Sequence, residues 1–462
     1  MNDKTINDMD IKKKSKHSNP TSMLNGAMNG STASMSIINS EPGNDKLRIL
    51  WVKMGGLWPI TSGGRLRSFH IINELSQLHD VTVLTTHSPG ESAFELKTQL
   101  PLCRRVDSRP FAPAKSKSRF FGFTVLRSWL SRWPVDLYKY QLPELRREVG
   151  FLLASGNYDL CIADFMAAVP NVPFVDATPV VLFSHNVEYM IWRRLGQHES
   201  SWLKRLLLAI EWRKMRRVEA HACNDALATI AVSEEDAEKL QVTSPHALIT
   251  SVPTGVDVEY FKPDFRIARN ATALVFSGSM DWVPNEDAML YFIQEVLPKV
   301  RERIPQTTLS IVGRNPSPRL RKVAMNAQVE VTGTVSDIRP WLHKAAVYIV
   351  PLRIGGGTRL KIYEALSMAM PVVSTTVGAE GLNLQEDIHI MRADTAGAFA
   401  TSIITLMENA ELRDSLGREG RTLMEENYAW SRIAEKFAAL CREAMASRTT
   451  TGHSTAFTPS SH

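Results

Sequence analysis

A chain of 462 residues has room for two or three domains with real cores. Lys plus Arg number 54 and Asp plus Glu 48, and the resulting +6 favours anionic partners such as diphosphates or acidic headgroups. The excess is spread too thinly to mark a nucleic-acid binder. A hydrophobic content of 44% excludes wholesale disorder, and four cysteines without CxxC spacing exclude a disulfide framework or a zinc knuckle. No apolar run reaches the roughly 18 residues of a bilayer span.

Residues 1–45, rich in Asn, Ser, Met, Gly and Lys, read as a disordered leader. Lys12, Lys13 and Lys14 are followed by polar residues rather than a signal-peptide core, so a cytoplasmic location is expected. From residue 46 onward, short apolar runs alternate with longer helix-patterned stretches, the rhythm of βαβ units and parallel sheets. Strands are expected at 47–52, 81–84, 160–163, 180–183, 228–232 and 248–252. A second series is expected at 273–276, 308–312, 329–331, 346–350 and 371–374. The stretch 252–264, with Pro253, Gly255 and Pro263, interrupts the rhythm and reads as a linker. The organisation is thus an α/β domain over 46–260, a second over 261–428, a helix over 429–446 and a frayed tail over 447–462. Ile433, Phe437, Leu440 and Met445 mark one face of that helix.

Ligands of parallel sheets bind beyond the carboxyl ends of the strands, and the informative residues sit there. After the first strand come Gly55-Gly56 and then Ser62-Gly63-Gly64-Arg65, leading into a helix. Bare backbone and helix amides suit a diphosphate there, but a plain β-to-α turn fits equally, because the dinucleotide GxGxxG spacing is absent. His185, in Ser184-His185-Asn186, follows another strand and offers an imidazole for donation to a sugar hydroxyl or for proton transfer; Asp164 ends the preceding strand and is also a plausible helix cap.

In the second series, Ser277-Gly278-Ser279, Gly313-Arg314 and Thr332-Gly333 follow strands. Then Gly355-Gly356-Gly357-Thr358 opens a helix carrying Arg359, Lys361 and Glu364. Bare amides and two cations can neutralise a diphosphate, and a carboxylate one turn on can accept two hydrogen bonds from a ribose diol. A Gly-rich loop capping a surface helix, with Lys361 and Glu364 as an i, i+3 pair, is the alternative.

Four stretches together carry a family resemblance: the Ser62-Gly63-Gly64 loop, Ala231-Val232-Ser233, Val252-Pro253-Thr254-Gly255-Val256-Asp257, and Gly355 to Val373 with Thr375 to Leu382 behind it. Over about residues 46–445 the sequence resembles the group 1 retaining glycosyltransferases, and most of all bacterial surface-polysaccharide sugar transferases. The resemblance implies a GT-B fold, two Rossmann-like domains facing across a cleft, with the last helix crossing back to the N-terminal domain. It implies retaining transfer from a nucleoside-diphosphate sugar to a glycan or lipid-linked acceptor held by the N-terminal domain, with no cofactor and no metal. Gly63 and Gly64 would approach the donor diphosphate and His185 would lie beside the transferred sugar. Glu364 would hold the ribose, and amides of Gly356, Gly357 and Thr358 would face the sugar and phosphates. Ser279, Arg314, Thr332 and Gly333 would lie on the donor-binding side, the last three near the nucleotide base.

The sequence departs from the family pattern three times, one of them only a turn substitution, Thr254 for the usual Asn before Gly255. Gly356 stands where the first glutamate of the Glu-x7-Glu motif belongs, and Ser279 to Asn285 replaces the usual Arg and Lys after the first carboxy-domain strand. Arg359 and Lys361 are therefore expected to supply the catalytic charge. Two other readings stay open, a sugar-nucleotide epimerase of the same fold and a non-catalytic scaffold of a polysaccharide assembly complex. On the acceptor side, residues 115–133 mix Lys115, Lys117, Arg119 and Arg127 with Phe120, Phe121, Phe123, Trp129 and Trp133. Residues 202–217 set Leu203, Leu206, Leu207 and Ile210 among cations. Both patterns fit peripheral contact with the inner face of a membrane, and equally a buried helix stripe with solvated cations.

Overall fold

The alternating apolar runs form two parallel sheets in a computed structural model that describes residues 46–113, 121–174, 177–355 and 359–452. The first sheet contains β1 (Arg48–Lys53), β2 (Asp80–His87), β3 (Arg105–Pro110), β4 (Leu160–Asp164), β5 (Val180–Ser184), β6 (Ala228–Ala231) and β7 (Ile249–Ser251). The second contains β8 (Asn270–Ser277), β9 (Thr308–Val312), β10 (Glu330–Gly333), β11 (Ala345–Val350), β12 (Val372–Ser374) and β13 (Met391–Arg392). Their spatial orders are β3-β2-β1-β4-β5-β6-β7 and β10-β9-β8-β11-β12-β13. Both sheets therefore follow the doubly wound order in which the chain leaves the first strand in one direction and later returns on its other side. That reversal opens a crevice at the carboxyl ends of β1 and β4 in one sheet and of β8 and β11 in the other.

Two strands carry no apolar signal. β3, Arg-Val-Asp-Ser-Arg-Pro, is a polar edge strand, where proline and charge are tolerated because one side needs no partner. β13 is two residues long and is defined by its neighbour β12 rather than by pattern. The final helix, Trp430–Gly452, runs past the expected end at 446 and takes in the start of the stretch read as a tail. The leader 1–45 and residues 115–120 of the basic-aromatic stretch lie outside the described residues.

Three apolar clusters hold the layers. One fills the C-terminal domain. The other two lie on opposite faces of the first sheet, and one of these is completed by Trp430, Ile433, Phe437 and Cys441 of the last helix. The Phe437 ring sits 5.7 Å from Trp51 and 5.1 Å from Phe183, so the helix is part of the N-terminal core. Burying such side chains stabilises by about 1.5–3 kcal/mol each. The crossing back is anchored beside the linker: Val256 N–H donates to Tyr428 O at 2.8 Å, and Arg421 donates to Val258 O and Phe261 O. A Cβ on Gly255 would meet the Trp430 ring at 2.6 Å, so only glycine lets the two connections lie this close.

Candidate active site

β1 and β4 pair in a register that sets Lys53 opposite Asp164 at the switch point of the first sheet. Both side chains are buried, with Nζ 3.3 Å from Oδ2. Trp51 Nε1 donates to the same oxygen at 2.9 Å, and His185 Nε2 lies 2.9 Å from Oδ1. Asp164, read from sequence as ambiguous, is therefore the hub of a buried network. Burial alone would raise its carboxyl, but Lys53 and the His185 hydrogen bond outweigh that and hold it near about 2. Burial also lowers His185 to about 4 against the opposing pull of Asp164, so the imidazole is neutral at pH 7. An ionised carboxylate only accepts, which fixes the proton on Nε2 and leaves the lone pair on Nδ1. Nδ1 is buried and has no hydrogen-bond partner among the described residues. The sequence suggested a donor at this position; the tautomer makes Nδ1 an acceptor.

Phe165 clamps the imidazole, its ring stacked on His185 with centroids 3.7 Å apart, while Lys53 Nζ lies 4.1 Å from the centroid of the same Phe165 ring. Phe165 takes a left-handed backbone, φ 69°, which is costly for a bulky residue and persists only because its surroundings hold it. Gly64 makes room for it, since a Cβ there would lie 2.5 Å from the ring. Gly64 thus seats the aromatic clamp, whereas Gly63 faces open space at the start of the helix Gly63–Leu78.

His185 should leave a signature in acid stability. Its folded value of about 4 lies below the ordinary 6.5, so between those limits the unfolded chain takes a proton that the folded chain refuses. Stability should fall by about 3 kcal/mol as pH drops through that window. The Asp164 contribution is present above the ordinary 3.8 and is lost only as pH falls from there towards 2, so the two limbs do not overlap. Urea titrations of His185→Gln should show the upper limb gone; an unchanged limb would refute the assignment.

In the second sheet three close approaches place the Lys361 ammonium at the carboxyl end of β8. Nζ donates to Asn285 Oδ1 at 2.8 Å, lies 4.2 Å from the Phe276 ring centroid, and would be 2.8 Å from a Cβ on Gly278. Gly278 must stay bare to admit it. The same glycine is pressed from behind, because a Cβ on Gly313 would meet its carbonyl oxygen at 1.7 Å. Burial pulls Lys361 down to about 7, Glu364 opposing and Arg359 adding, and burial pushes Glu364 up to about 7 against Lys361. Arg359 is buried over Trp282, 5.3 Å from its ring, against the bare face of Gly355. Arg359 and Glu364, singled out from sequence with Lys361, thus both act on its charge, whereas Asn285, which holds it, was missed.

Ser279 and Arg314 also meet, Arg314 Nε donating to Ser279 Oγ at 2.7 Å, while Ser279 and Asn315 bind the Asp281 carboxylate. Thr332 and Gly333 end β10, two strands out from β8, so they stand at the rim rather than beside Lys361. Gly356, Gly357 and Thr358 lie outside the described residues. Residues from both domains line a cleft of about 410 Å³, among them Arg67, His185, Arg194, Gly355 and Glu380. Lys53, Arg67 and Glu380 carried no signal by themselves. A charged residue ending each of the two strands that flank a switch point would have found Lys53 with Asp164.

Residues 62–260 match the family model Glycosyltransferase Family 4, and residues 271–409 match the model Glycosyl transferases group 1. An uncharacterized 44.6 kDa protein in the cps region of Klebsiella pneumoniae is 24% identical over 408 residues, covering 86% of this chain and 99% of that one. A phosphatidyl-myo-inositol mannosyltransferase of Mycobacterium tuberculosis is 28% identical over 220 residues, 45% of this chain and 57% of the relative. Among solved structures, Anabaena HepE with UDP and glucose superposes with a TM-score of 0.56 at 14% identity, covering 86% of this chain and 99% of that one. Sucrose-phosphate synthase of Thermosynechococcus elongatus gives 0.58 at 16% identity, covering 87% and 100%. With a family model matched on each of two Rossmann-like domains, the chain belongs to the group 1 glycosyltransferases and has their GT-B fold.

Proposed function

We propose that the protein moves a sugar, with retention at the anomeric carbon, from a nucleoside-diphosphate sugar to a glycan or lipid-linked glycan acceptor in cell-surface polysaccharide biosynthesis. The observation that carries the donor half is the Lys361 ammonium and the Glu364 carboxyl seated at the switch point of the second sheet. As the glycosidic C–O bond breaks, negative charge gathers on the departing diphosphate. Lys361 and Arg359 stabilise it as preorganised cations, the term that usually contributes most to such a barrier, with no metal required. Glu364 accepts from the ribose diol. His185 Nδ1, its tautomer held by Asp164, accepts a hydrogen bond from a hydroxyl of the transferred sugar. The acceptor oxygen attacks the same face that the diphosphate leaves, and its proton passes to the diphosphate oxygen. The cps-region relative and the UDP complex of a structural neighbour support the polysaccharide and nucleotide parts.

A second reading has one specific observation in its favour. A putative UDP-N-acetylglucosamine 2-epimerase from Listeria monocytogenes superposes over 87% of the chain with a TM-score of 0.50. It predicts an isomerised donor without any acceptor, which product analysis in acceptor-free reactions distinguishes.

The first test is thermal unfolding with UDP, GDP and ADP. A ligand at 100 times its Kd stabilises the folded state by about 2.7 kcal/mol, a rise of about 5 °C. One diphosphate should give that rise, and Glu364→Ala should abolish it. No rise with any of the three would overturn the donor assignment.

The acceptor side is proposed to rest against the membrane surface. Trp202 is 74% exposed, and Phe123, Leu126, Leu203, Leu206 and Ile210 are exposed with it on the helices Phe121–Trp129 and Trp202–Asp225, as is Leu130 (86%) just past the first of them. Arg127, Lys204, Arg205 and Arg213 are exposed along the same helices. Apolar side chains ringed by cations are the composition that binds anionic bilayers. No helix among the described residues is long and apolar enough to cross one.

A further inference from the structure

The helix Trp202–Asp225 carries two kinds of surface in succession along one stripe. Leu203, Leu206 and Ile210 near its start are exposed apolar side chains. At the same spacing of three and four residues, the stripe continues as Lys214, Arg217 and His221, which line an open cavity of about 640 Å³. Arg132 and Arg146 face them across it, and Trp133, Val172 and Phe174 give it an apolar floor. Asp225 is the one carboxylate among the described lining residues. This cavity shares no lining residue with the cleft between the domains. Arg132, Arg146, Lys214 and Arg217, with His221 beside them and one acid, give the cavity a lining that suits an anion. From Ile210 to His221 the helix rises about 16 Å, so the anion site and the apolar stripe lie within the reach of one lipid molecule.

We propose that this cavity binds the phosphate headgroup of an anionic phospholipid, with its apolar chains leading onto the stripe formed by Leu203, Leu206 and Ile210. A soluble phosphate would use the cations and leave the stripe uncovered, whereas a lipid engages both. The proposal rests on the membrane contact proposed above and adds a defined seat for the headgroup. Once occupied, that seat fixes the rotation of the N-terminal domain on the surface as well as its attachment.

Vesicle flotation of the full chain tests it, with phosphatidylcholine alone or mixed with roughly 30% phosphatidylglycerol at about 0.15 M salt. Arg132→Gln/Arg217→Gln removes two cavity charges, and Arg147→Gln/Arg216→Gln removes two exposed charges outside it. The parent should float only with phosphatidylglycerol. The cavity pair should lower its partition about tenfold and the outside pair less than about twofold. A parent chain that floats on neither vesicle overturns the membrane contact itself. Equal losses in the two pairs leave that contact standing and remove the headgroup site. If roughly 10 mM inorganic phosphate raises the midpoint of the parent but not of the cavity pair, while both float alike, the cavity is a free-anion site and the lipid assignment is wrong.

Discussion

Replacing Lys361 with alanine is expected to lower kcat by about 10²- to 10³-fold while changing stability by only about 1 kcal/mol. The ammonium is fixed by Asn285, by the Phe276 ring and by the missing side chain of Gly278, so in the proposed reaction it would meet the leaving diphosphate without having to reorganise. In that reaction it would stabilise charge that is fully developed only in the transition state, and its loss should therefore appear in kcat more than in KM. Turnover with the matched donor and near-ultraviolet circular dichroism together decide the matter; parent-like kcat in a folded variant would dismiss the assignment. Burial holds this lysine near about 7, and an arriving diphosphate must raise it. Diphosphate binding should then take up a proton, with affinity falling as pH rises above 7. Calorimetry in two buffers of different ionisation enthalpy reads that proton directly, and Lys361→Met should remove it.

The second large effect concerns stability. Asp164→Ala leaves the Lys53 ammonium buried with its counter-charge gone, and breaking a buried pair from one side costs about 3–5 kcal/mol. Pairing the change with Lys53→Met removes the stranded charge and should recover most of that loss. Activity should not recover, because His185 loses the carboxylate that sets its tautomer. Urea unfolding followed by far-ultraviolet circular dichroism, together with turnover of the double variant, separates the two roles. A double variant as active as the parent would reduce Asp164 to a folding residue.

The rhythm of strands and helices was legible because parallel strands buried on both faces must be apolar along their whole length, as Val-Val-Leu-Phe in β5 and Ala-Val-Tyr-Ile-Val in β11 are. Edge strand β3 escaped because it is exempt from that demand. Local spacing also sufficed for Arg359, Lys361 and Glu364, which meet within one helical turn or two. Lys53, Asp164 and His185 come from three strand ends separated in sequence, and only the register between β1, β4 and β5 joins them. The apolar residues of 202–210 could be read as a buried stripe or as an outer surface, since amphipathicity is the same in both. What decided between them was exposure: Leu203 is 51% and Leu206 53% exposed.

The last helix also determines when the first domain can be finished. The strands that Phe437 packs against, β1 and β5, are synthesised long before it, with the whole second domain in between. On the ribosome the early sheet therefore waits with Trp51 and Phe183 uncovered while the second domain, whose cluster is complete by Tyr428, closes first. Protein synthesis proceeds from the N-terminus, but maturation of this protein ends with its N-terminal half. A chain halted just before residue 430 would carry a closed second domain beside a first domain whose core is still open.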